Sequence, residues 1–353
     1  MSPMPVFADV DTGVDDAMAL AYLLASSDAD LVGIASTAGN IGVHQVCINN
    51  LGLLELCGAP DIPVSRGAEQ PLAAPLRTAE DTHGPEGLGY ARLPATDRTL
   101  TTHDAAEAWI RAAHAHPGEL IGLATGPLTN LALAMRAEPA LPRLMRRLVI
   151  MGGAFDYKGN TTPVAEWNIS VDPESAAEVF GGWDAAWGGR GDDAAPAHVP
   201  IVLGLNLTEN VAMTPALLNR LATAAGSPST AMSVRDERGT RSTAANPLIR
   251  VLEDAMRFYF EFHFDTGDGY LAHLHDPLAA AVALDPELVR CRQTTVDVEL
   301  TGTLTRGMTV ADWRGHWGRR PNALIGMEVD PTVFFDRFIS RVGAFAQRLT
   351  SHS

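Results

Sequence analysis

The sequence predicts a single α/β domain with a mainly parallel central sheet flanked by helices, and three observations lead to this fold class. Short apolar runs alternate with longer segments of helical periodicity through most of the 353-residue chain, which is typical of βαβ units. With 46% hydrophobic and 19% charged residues, the composition is that of a folded globular protein. The length permits two domains, but candidate site residues spread from position 9 to position 276 favour one, spanning residues 1–353.

Five apolar segments are predicted as buried strands, because continuous apolar runs of this length are expected where helices cover both faces of a sheet. They are residues 5–10, 31–36, 120–124, 148–151 and 200–205. The segments between them have apolar residues at helical spacing and are predicted as helices. These are residues 15–26, 43–57, 102–115, 127–137 and 173–179, and longer helices are predicted at residues 247–264 and 331–349.

Two regions depart from the regular alternation. Residues 294–305 are rich in strand-forming residues and contain a Thr-Gly-Thr turn signal, so they predict a small antiparallel addition near the C-terminus. Residues 181–198 are rich in Gly, Ala and Asp and are predicted as a surface insertion between a helix and a strand. A linker is the alternative, but strand-forming residues resume directly afterwards, which favours the insertion.

The charge balance and the cysteines exclude several classes of protein. The chain has 42 acidic and 26 basic side chains, and its formal net charge of −16 is unsuited to binding nucleic acid. No apolar run reaches the ~20 residues that cross a bilayer, and the N-terminus lacks a secretory signal pattern. Cys47, Cys57 and Cys291 have neither disulfide nor zinc-site spacing. We therefore expect a cytoplasmic protein with no membrane partner.

An acidic cluster follows the first predicted strand. Asp9 and Asp11 are two residues apart, so they are expected on the same face of that strand. Gly13 permits a tight turn into the next helix, and Asp15 and Asp16 lie in the first turn of that helix, where the helix dipole favours negative charge. Open α/β sheets place their sites at the carboxyl ends of strands. The pattern therefore predicts a functional site here.

Acidic side chains packed this closely repel one another unless a cation lies between them. Helix capping explains one or two of these acids but not four. No arginine or lysine occurs in the first 60 residues, so a local salt bridge is not available. Oxygen-only ligands suit Ca²⁺ or Mg²⁺ rather than zinc. We expect a bound cation to neutralise Asp9, Asp11, Asp15 and Asp16, with Asp276 as a further member of the group.

A phosphatase of the haloacid dehalogenase type also begins with an Asp-x-Asp strand end. That class needs a threonine where Gly13 stands, because Thr12 comes one residue early in this chain. It also needs a lysine, and the chain contains only Lys158. The sequence therefore disfavours a phosphatase.

Two further polar groups accompany predicted strand ends or helix starts. Asn160, Glu166 and Asn168 lie in the loop after a Gly-Gly pair at the end of strand 148–151, and amide and carboxylate groups suit the recognition of sugar hydroxyls. His275 and Asp276 precede a helical run at 278–284. Asp276 is either a helix cap or a metal ligand beside a proton-donating His275, and the residues alone leave both open.

Taken together, these segments resemble the nucleoside hydrolase family, the inosine-uridine-preferring nucleoside N-ribohydrolases. The resemblance spans nearly the whole chain, and the Asp-rich opening combined with His-Asp-Pro is its specific part. The matching segments are residues 9–17 (DVDTGVDDA), 37–40 (TAGN), 83–84 (HG), 125–130 (TGPLTN), 151–153 (MGG), Asn160 with 166–168 (EWN), and 275–277 (HDP). Thr12 stands where the family usually has proline, and Asn206 stands where an Asp is common.

The resemblance implies a nucleoside-hydrolase-like fold and Ca²⁺-dependent hydrolysis of the N-glycosidic bond of ribonucleosides to free base and ribose. It implies four calcium ligands, namely Asp11, Asp16, Asp276 and the main-chain carbonyl of Thr125. Asp11 is also implied as the base that activates the attacking water. The implied ribose contacts are Asp15, Asn40 and Asn168 for the 2′ and 3′ hydroxyls and Asn160 with Glu166 for the 5′-hydroxyl. His275, helped by His83, is implied to protonate or orient the leaving base.

Several properties stay open at this stage. His83 together with His275 indicates pyrimidine or mixed nucleosides as substrates, whereas the aromatic residues Phe258, Tyr259, Phe260 and Tyr270 suit stacking on a purine. Which histidine serves the leaving base is also open. The resemblance implies a homo-oligomer, a dimer or tetramer, that acts in nucleoside salvage. The alternative function is a non-catalytic Ca²⁺-dependent nucleoside or ribose binder that kept the pocket.

Overall fold

The computed structural model describes residues 2–187 and 198–351, which are built around a large central β-sheet. The strands are β1 (Met4–Val10), β2 (Ala29–Ser36), β3 (Val64–Arg66), β4 (Leu120–Ala124), β5 (Met145–Met151), β6 (Ile201–Leu203), β7 (Ala212–Met213), β8 (Ala272–His273), β9 (Val289–Val298), β10 (Thr309–Asp312) and β11 (Ala323–Val329). Nine of them form one sheet in the order β10-β9-β11-β6-β5-β4-β1-β2-β3, and β7 and β8 form a separate antiparallel pair.

Helices connect most of the strands. They are α1 (Val14–Ala25), α2 (Val43–Leu56), α3 (Glu80–His83), α4 (Ala105–Ala115), α5 (Thr129–Ala137), α6 (Leu141–Leu144), α7 (Trp167–Val171), α8 (Pro173–Trp187), α9 (Leu205–Thr208), α10 (Pro215–Ala224), α11 (Pro247–Thr266), α12 (His275–Leu284) and α13 (Pro331–Ser351), with a 3₁₀ turn at Pro286–Leu288. Within the described residues, no helix is both long enough and apolar enough to span a membrane.

The pairing within the sheet confirms the predicted fold class. Every pairing from β11 through β6, β5, β4, β1 and β2 to β3 is parallel. At the other edge, β9 runs antiparallel to both β10 and β11, which is the antiparallel addition near the C-terminus. The chain leaves β1 toward β2 and β3 and then returns to pair β4 with the other side of β1. Such a reversal of strand order opens a crevice at the carboxyl ends of the two strands.

Two apolar cores lie on opposite faces of the sheet, and β1 contributes to both. Val6, Ala8 and Val10 pack in a core with α1, α11, α12 and α13. Phe7 packs in the other core, where its ring centroid lies 4.6 Å from that of Trp109 on α4. This alternation follows from the two-residue period of a strand, and it decides the direction in which every side chain of β1 points.

The structure corrects several predicted boundaries. The strand predicted at 200–205 ends at Leu203, because Leu205 already begins α9. The strand predicted at 294–305 begins earlier, at Val289, and ends at Val298, so the Thr-Gly-Thr signal lies in the connection to β10. Helix α8 continues past the predicted end at 179 to Trp187, through the start of the predicted insertion. The rest of that insertion, residues 188–197, lies outside the described residues.

Candidate active site

A cavity of about 710 Å³ lies at the crevice between the carboxyl ends of β1 and β4. Most of the predicted site residues line it, namely Asp15, Asn40, His83, Thr125, Asn160, Glu166, Asn168, His275 and Asp276. The two remaining predicted site residues, Asp11 and Asp16, are fully buried and hydrogen-bonded to groups of the cavity floor. The fold therefore gathers residues between positions 11 and 276 around one cavity.

Carboxylates form the floor of the cavity. Asp15, Asp16 and Asp276 each place a carboxylate oxygen within 4.8 Å of the others. The third residue of helix α1, Asp16, accepts the main-chain N–H of Gly13 on Oδ2 at 2.8 Å and the Thr125 hydroxyl on Oδ1 at 2.7 Å. These two bonds connect the turn after β1 to the end of β4. Asp16 therefore caps α1 and also links the two strand ends that border the crevice.

Asp11 lies just beyond the end of β1 and is buried beside this group. Its Oδ2 accepts the main-chain N–H of Asn40 at 2.7 Å, whereas its Oδ1 is buried with no hydrogen-bond partner. The main chain at Gly39 packs directly against Asp11, and a Cβ atom at Gly39 would lie 2.1 Å from the Asp11 carboxylate. Only glycine fits at that position.

Burial and mutual repulsion disfavour the ionised forms of these carboxylates in the absence of a cation. Burial raises the pKa of Asp15 to about 7, with a further contribution from Asp16. Burial, followed by the neighbouring carboxylates, raises the pKa values of Asp11 and Asp276 well above their usual range. Among the described residues, no lysine or arginine forms an ion pair with any of these four acids.

The donor set of the cavity floor fits a hard divalent cation. All the groups that meet there offer oxygen atoms, and the unpartnered Oδ1 of Asp11 is a further free ligand atom. Hard cations such as Ca²⁺ and Mg²⁺ take oxygen ligands of this kind. A buried carboxylate without a donor or a cation is costly, so the orphaned oxygen itself points to a ligand.

Asp9 does not join this cluster, contrary to the expectation from its spacing. Because it lies inside β1, its side chain points to the same face as Phe7, away from the cavity floor. Its carboxylate accepts the indole N–H of Trp109 at 2.7 Å, the amide of Asn130 at 3.0 Å and the hydroxyl of Thr37. Three neutral donors satisfy Asp9, while burial raises its pKa to about 6. Asp9 is therefore part of the buried scaffold.

The loop after β5 forms a polar wall of the cavity. Glu166 is buried and caps α7, since its carboxylate accepts the main-chain N–H groups of Asn168 at 2.8 Å and of Gly153 and Ile169 at 3.0 Å. The side-chain amide of Asn168 donates to the carbonyl of Thr125 at 2.7 Å, which fixes the orientation of that carbonyl. Asn160 is exposed at the rim of the same wall.

His83 and His275 lie in the cavity wall with their Nδ1 atoms already hydrogen-bonded. The main-chain N–H of Val14 donates to Nδ1 of His83 at 3.1 Å, so the ring proton of the neutral imidazole is on Nε2. Nδ1 of His275 lies 2.7 Å from the hydroxyl of Thr208. Burial lowers the pKa of His83 to about 3 and that of His275 well below its usual range. Both rings are therefore neutral at pH 7.

Comparison with known proteins agrees with this arrangement. The family model described as inosine-uridine preferring nucleoside hydrolase matches residues 6–336. The chain belongs to the inosine-uridine preferring nucleoside hydrolase family. Membership makes the protein an enzyme, an N-glycosidase that acts on nucleosides.

This nucleoside hydrolase is similar along its whole length to curated members of the family. It is 35% identical to the pyrimidine-specific ribonucleoside hydrolase RihA of Citrobacter koseri over 345 residues, which are 97% of this chain and 99% of that protein. It is 34% identical to RihA of Salmonella paratyphi C over the same shares of the two chains.

Solved structures of the family share its fold. A purine-preferring ribonucleoside hydrolase from Gardnerella vaginalis superposes with a TM-score of 0.83 at 26% identity, over 98% of this chain and 99% of that chain. The plant nucleoside hydrolase PpNRh1 also superposes with a TM-score of 0.83, at 30% identity over 97% of this chain and 99% of that chain.

Two histidines that the sequence analysis left without a role line the cavity of this nucleoside hydrolase. His263 and His273 lie with ring centroids 5.3 Å apart, and His273 lies 5.7 Å from His275. The His263 ring also lies 4.8 Å from that of Tyr259. The signal that could have found His263 is its spacing of four residues from Tyr259, which places both on one face of α11.

The aromatic residues named as stacking candidates divide between cavity and core. Tyr259 lines the cavity, and Phe262 joins it there. Phe260 is fully buried against Tyr270, with ring centroids 5.3 Å apart, and Phe258 packs outside the cavity against Tyr90. Only Tyr259 of the predicted set is therefore placed to meet a base.

Proposed function

We propose that this nucleoside hydrolase cleaves the N-glycosidic bond of ribonucleosides in a Ca²⁺-dependent reaction, with pyrimidine ribonucleosides as its preferred substrates. The observation that carries the proposal is the unpartnered Oδ1 of Asp11, buried beside Asp15, Asp16 and Asp276 at the floor of a cavity of nucleoside size. A carboxylate oxygen in that setting is available to a cation and to a water molecule.

Four oxygen ligands would hold the cation, from Asp11, Asp16, Asp276 and the carbonyl of Thr125. Their support is the burial of the three carboxylates and the bond from Asn168 that aims the Thr125 carbonyl. When bound, Ca²⁺ supplies positive charge that lowers the pKa of a water molecule beside it.

Asp11 is proposed as the general base. Its Oδ2 is held by the N–H of Asn40, so the carboxylate is fixed in orientation while Oδ1 is free to accept a proton from the attacking water. Breaking the glycosidic bond makes the ribosyl centre positively charged, and the neighbouring carboxylates stabilise that charge as it develops.

The ribose is proposed to lie between the carboxylate floor and the loop after β5. Asp15 and Asn40 line the cavity on the side of β1, which supports contacts with the 2′ and 3′ hydroxyls. Asn168 lines it from the loop after β5, next to the Thr125 carbonyl, and is proposed to reach the same hydroxyls. Asn160 and Glu166 lie on the other wall, where the 5′-hydroxyl would reach them. Glu166 accepts three main-chain N–H groups, so it also holds the wall rigid.

His83 and His275 are proposed to have different roles in the departure of the base. The neutral His83 carries its proton on Nε2, which suits a hydrogen bond to the base. The Nδ1 atom of His275 is paired with Thr208, which leaves Nε2 for the departing base or its proton. Because both rings are neutral, the pair supports orientation of the base by His83 and, when the Thr208 hydroxyl donates to Nδ1, a hydrogen bond from Nε2 of His275 that stabilises the departing base.

Sequence similarity favours pyrimidine bases. The relatives at 35% and 34% identity are named as pyrimidine-specific enzymes, whereas the structural neighbours named for purine or for inosine and guanosine are 26% and 27% identical. We further propose a cytoplasmic dimer or tetramer that serves nucleoside salvage, as the family resemblance of the sequence implies. Light scattering on the purified protein tests the oligomeric state.

One experiment tests the proposed function. The purified protein is incubated with uridine, cytidine, inosine, adenosine and 2′-deoxyuridine, after EDTA treatment and after Ca²⁺ is restored, and free base is quantified. We expect release from uridine and cytidine above all, lost with EDTA and restored by Ca²⁺. Mg²⁺ in place of Ca²⁺ identifies the ion. A nucleoside that binds but is recovered intact under every condition would instead identify a binding protein.

A further inference from the structure

A hydrogen-bonded junction outside the cavity joins the loop after His83 to helix α11. The hydroxyl of Tyr90 donates to Oε2 of Glu261 at 2.6 Å, and Oε1 of Glu261 accepts the main-chain N–H of Gly239 at 3.0 Å. Nε of Arg238 lies 3.4 Å from the same carboxylate. Glu261 is buried although it is acidic, so it is held by specific partners rather than by solvent.

Helix α11 presents different faces to the cavity and to this junction. Tyr259 and His263 are four residues apart and both line the cavity, as do Phe262 and Thr266. Glu261 lies two residues from Tyr259, about half a turn around the helix. The junction therefore contacts α11 on the side opposite the face that lines the cavity.

The loop from His83 to Tyr90 lies directly on α11. Gly89 has φ +57°, and a Cβ atom there would lie 2.6 Å from Cβ of Phe258 and 2.8 Å from the carbonyl oxygen of Ala255, so only glycine permits this contact. The N–H of Gly89 donates to the carbonyl of His83 at 2.7 Å. One main-chain hydrogen bond thus connects His83 to Gly89, which packs against α11.

The ring of Tyr90 completes the contact. Its centroid lies 5.1 Å from that of Phe258, and the guanidinium of Arg241 lies 5.6 Å from its centroid on the side of the 227–246 segment. The hydroxyl bond to Glu261 is therefore separable from the packing of the ring. The imidazole of His83 lies 5.3 Å from the ring of Tyr259, so a shift of α11 changes the neighbour of His83 as well.

We propose that Tyr90 and Glu261 are positioning residues that hold His83 at a fixed distance from the α11 wall of the cavity, and thereby set how His83 meets the leaving base. This inference rests on the proposed function, in which His83 hydrogen-bonds the base. Neither residue lines the cavity, so both act through His83.

The first test is the Tyr90→Phe variant, which removes the hydroxyl and keeps the ring. With uridine, whose base is a poor leaving group, we expect kcat/KM to fall about 10-fold or more, because small misplacement of a catalytic group is costly. With nitrophenyl riboside, whose leaving group departs without a hydrogen bond or a proton, we expect kcat/KM to change by no more than about 2-fold.

Glu261→Gln is the second variant and should show the same dependence on the leaving group. Tyr22→Phe, which alters a buried phenol on α1, is the matched control and should match wild type on both substrates.

A double-variant cycle and a spectroscopic measurement separate positioning from general stability. In a His83→Ala background, Tyr90→Phe should cause no further loss on uridine. In otherwise wild-type protein, Tyr90→Phe should shift the ring nitrogen resonances of His83 in ¹⁵N NMR, while Tyr22→Phe leaves them in place.

Other results overturn the inference. Equal losses on both substrates, a full loss that persists without His83, or unshifted His83 resonances each contradict it. If wild type releases no base but the Tyr90→Phe shift at His83 is present, the proposed function fails while the coupling between junction and histidine stands.

Discussion

The main-chain N–H of Asn40 donates to Oδ2 of Asp11 at 2.7 Å, while Oδ1 of the same carboxylate is buried without a partner. One oxygen thus fixes the side chain and the other remains open to a ligand. Leaving a buried polar atom unpaired costs roughly 1–3 kcal/mol, and more for a charged group. A cation bound to Oδ1 would offset that cost, which is why the mechanism is centred on Asp11.

Replacing Asp11 tests that assignment. Asp11→Asn keeps the shape of the side chain but removes the charge and the basic oxygen. We expect kcat on uridine to fall about 1,000-fold, within the range that general acid–base catalysis contributes, and Ca²⁺ affinity measured by calorimetry to fall with it. Turnover close to wild type in this variant would show that another group is the base.

Asp9 provides the matched control on the same strand. Asp9→Asn places an amide among three hydrogen-bond donors, from Thr37, Trp109 and Asn130, and at least one donor then loses its acceptor. We expect the free energy of unfolding to fall by about 1–3 kcal/mol, which would be measured as a lower Tm. The affinity for Ca²⁺ should be retained. Loss of Ca²⁺ binding without loss of stability would place Asp9 in the metal site.

The stability of the metal-free protein should fall as the pH rises from about 6.5 through about 7, where the raised pKa of Asp15 lies. The folded-state pKa of Asp15 is raised to about 7, and those of Asp11 and Asp276 are raised well above the usual range. The folded state therefore binds more protons than the unfolded state, and this contribution is lost as these groups ionise. The depressed pKa values of His83, about 3, and His263, about 4, act in the opposite direction but mainly below about pH 6.5.

Added Ca²⁺ should reverse this trend. Metal binding needs ionised carboxylates, so the rise in Tm caused by Ca²⁺ should grow across the same pH range. Thermal melts with EDTA and with Ca²⁺ at several pH values measure both effects. A metal-free Tm that climbs with pH, or a Ca²⁺ effect that shrinks with pH, contradicts the assignment.

His275 should matter most for substrates with poor leaving groups. In His275→Ala we expect kcat/KM on uridine to fall about 100-fold, because a positioned hydrogen-bond donor to developing negative charge contributes about that much. Nitrophenyl riboside, which leaves without a proton, should lose far less. His44→Ala, at an exposed position of α2, serves as the control. Equal losses on the two substrates would mean that His275 only packs against Thr208 and His273.

Much of the fold was predictable because its signals are local. The alternation of apolar runs and helical segments predicted the parallel sheet, and the strand at 120–124 has the predicted boundaries. Helix α10 was not predicted, and the end of α8 was predicted too early. The end of α8 contains Gly181 and Gly182 beside alanines, which give a weak periodic signal. Helix α10 has no glycine and buries Leu218 and Leu221, so its periodic signal was available in the sequence.

The site was predictable to a similar extent and for a similar reason. The motif at 9–17 lies at a strand end that leads into a helix, so Asp11, Asp15 and Asp16 converge through local geometry alone. The sequence by itself therefore determined the acidic cluster, the fold class and the resemblance to the family. Only the tertiary structure decided that Asp9 belongs to the scaffold, because that depends on which face of β1 is covered by Trp109 and Asn130. It alone decided that His263 and His273 join the cavity, because they meet His275 only when α11 and β8 pack together across the crevice.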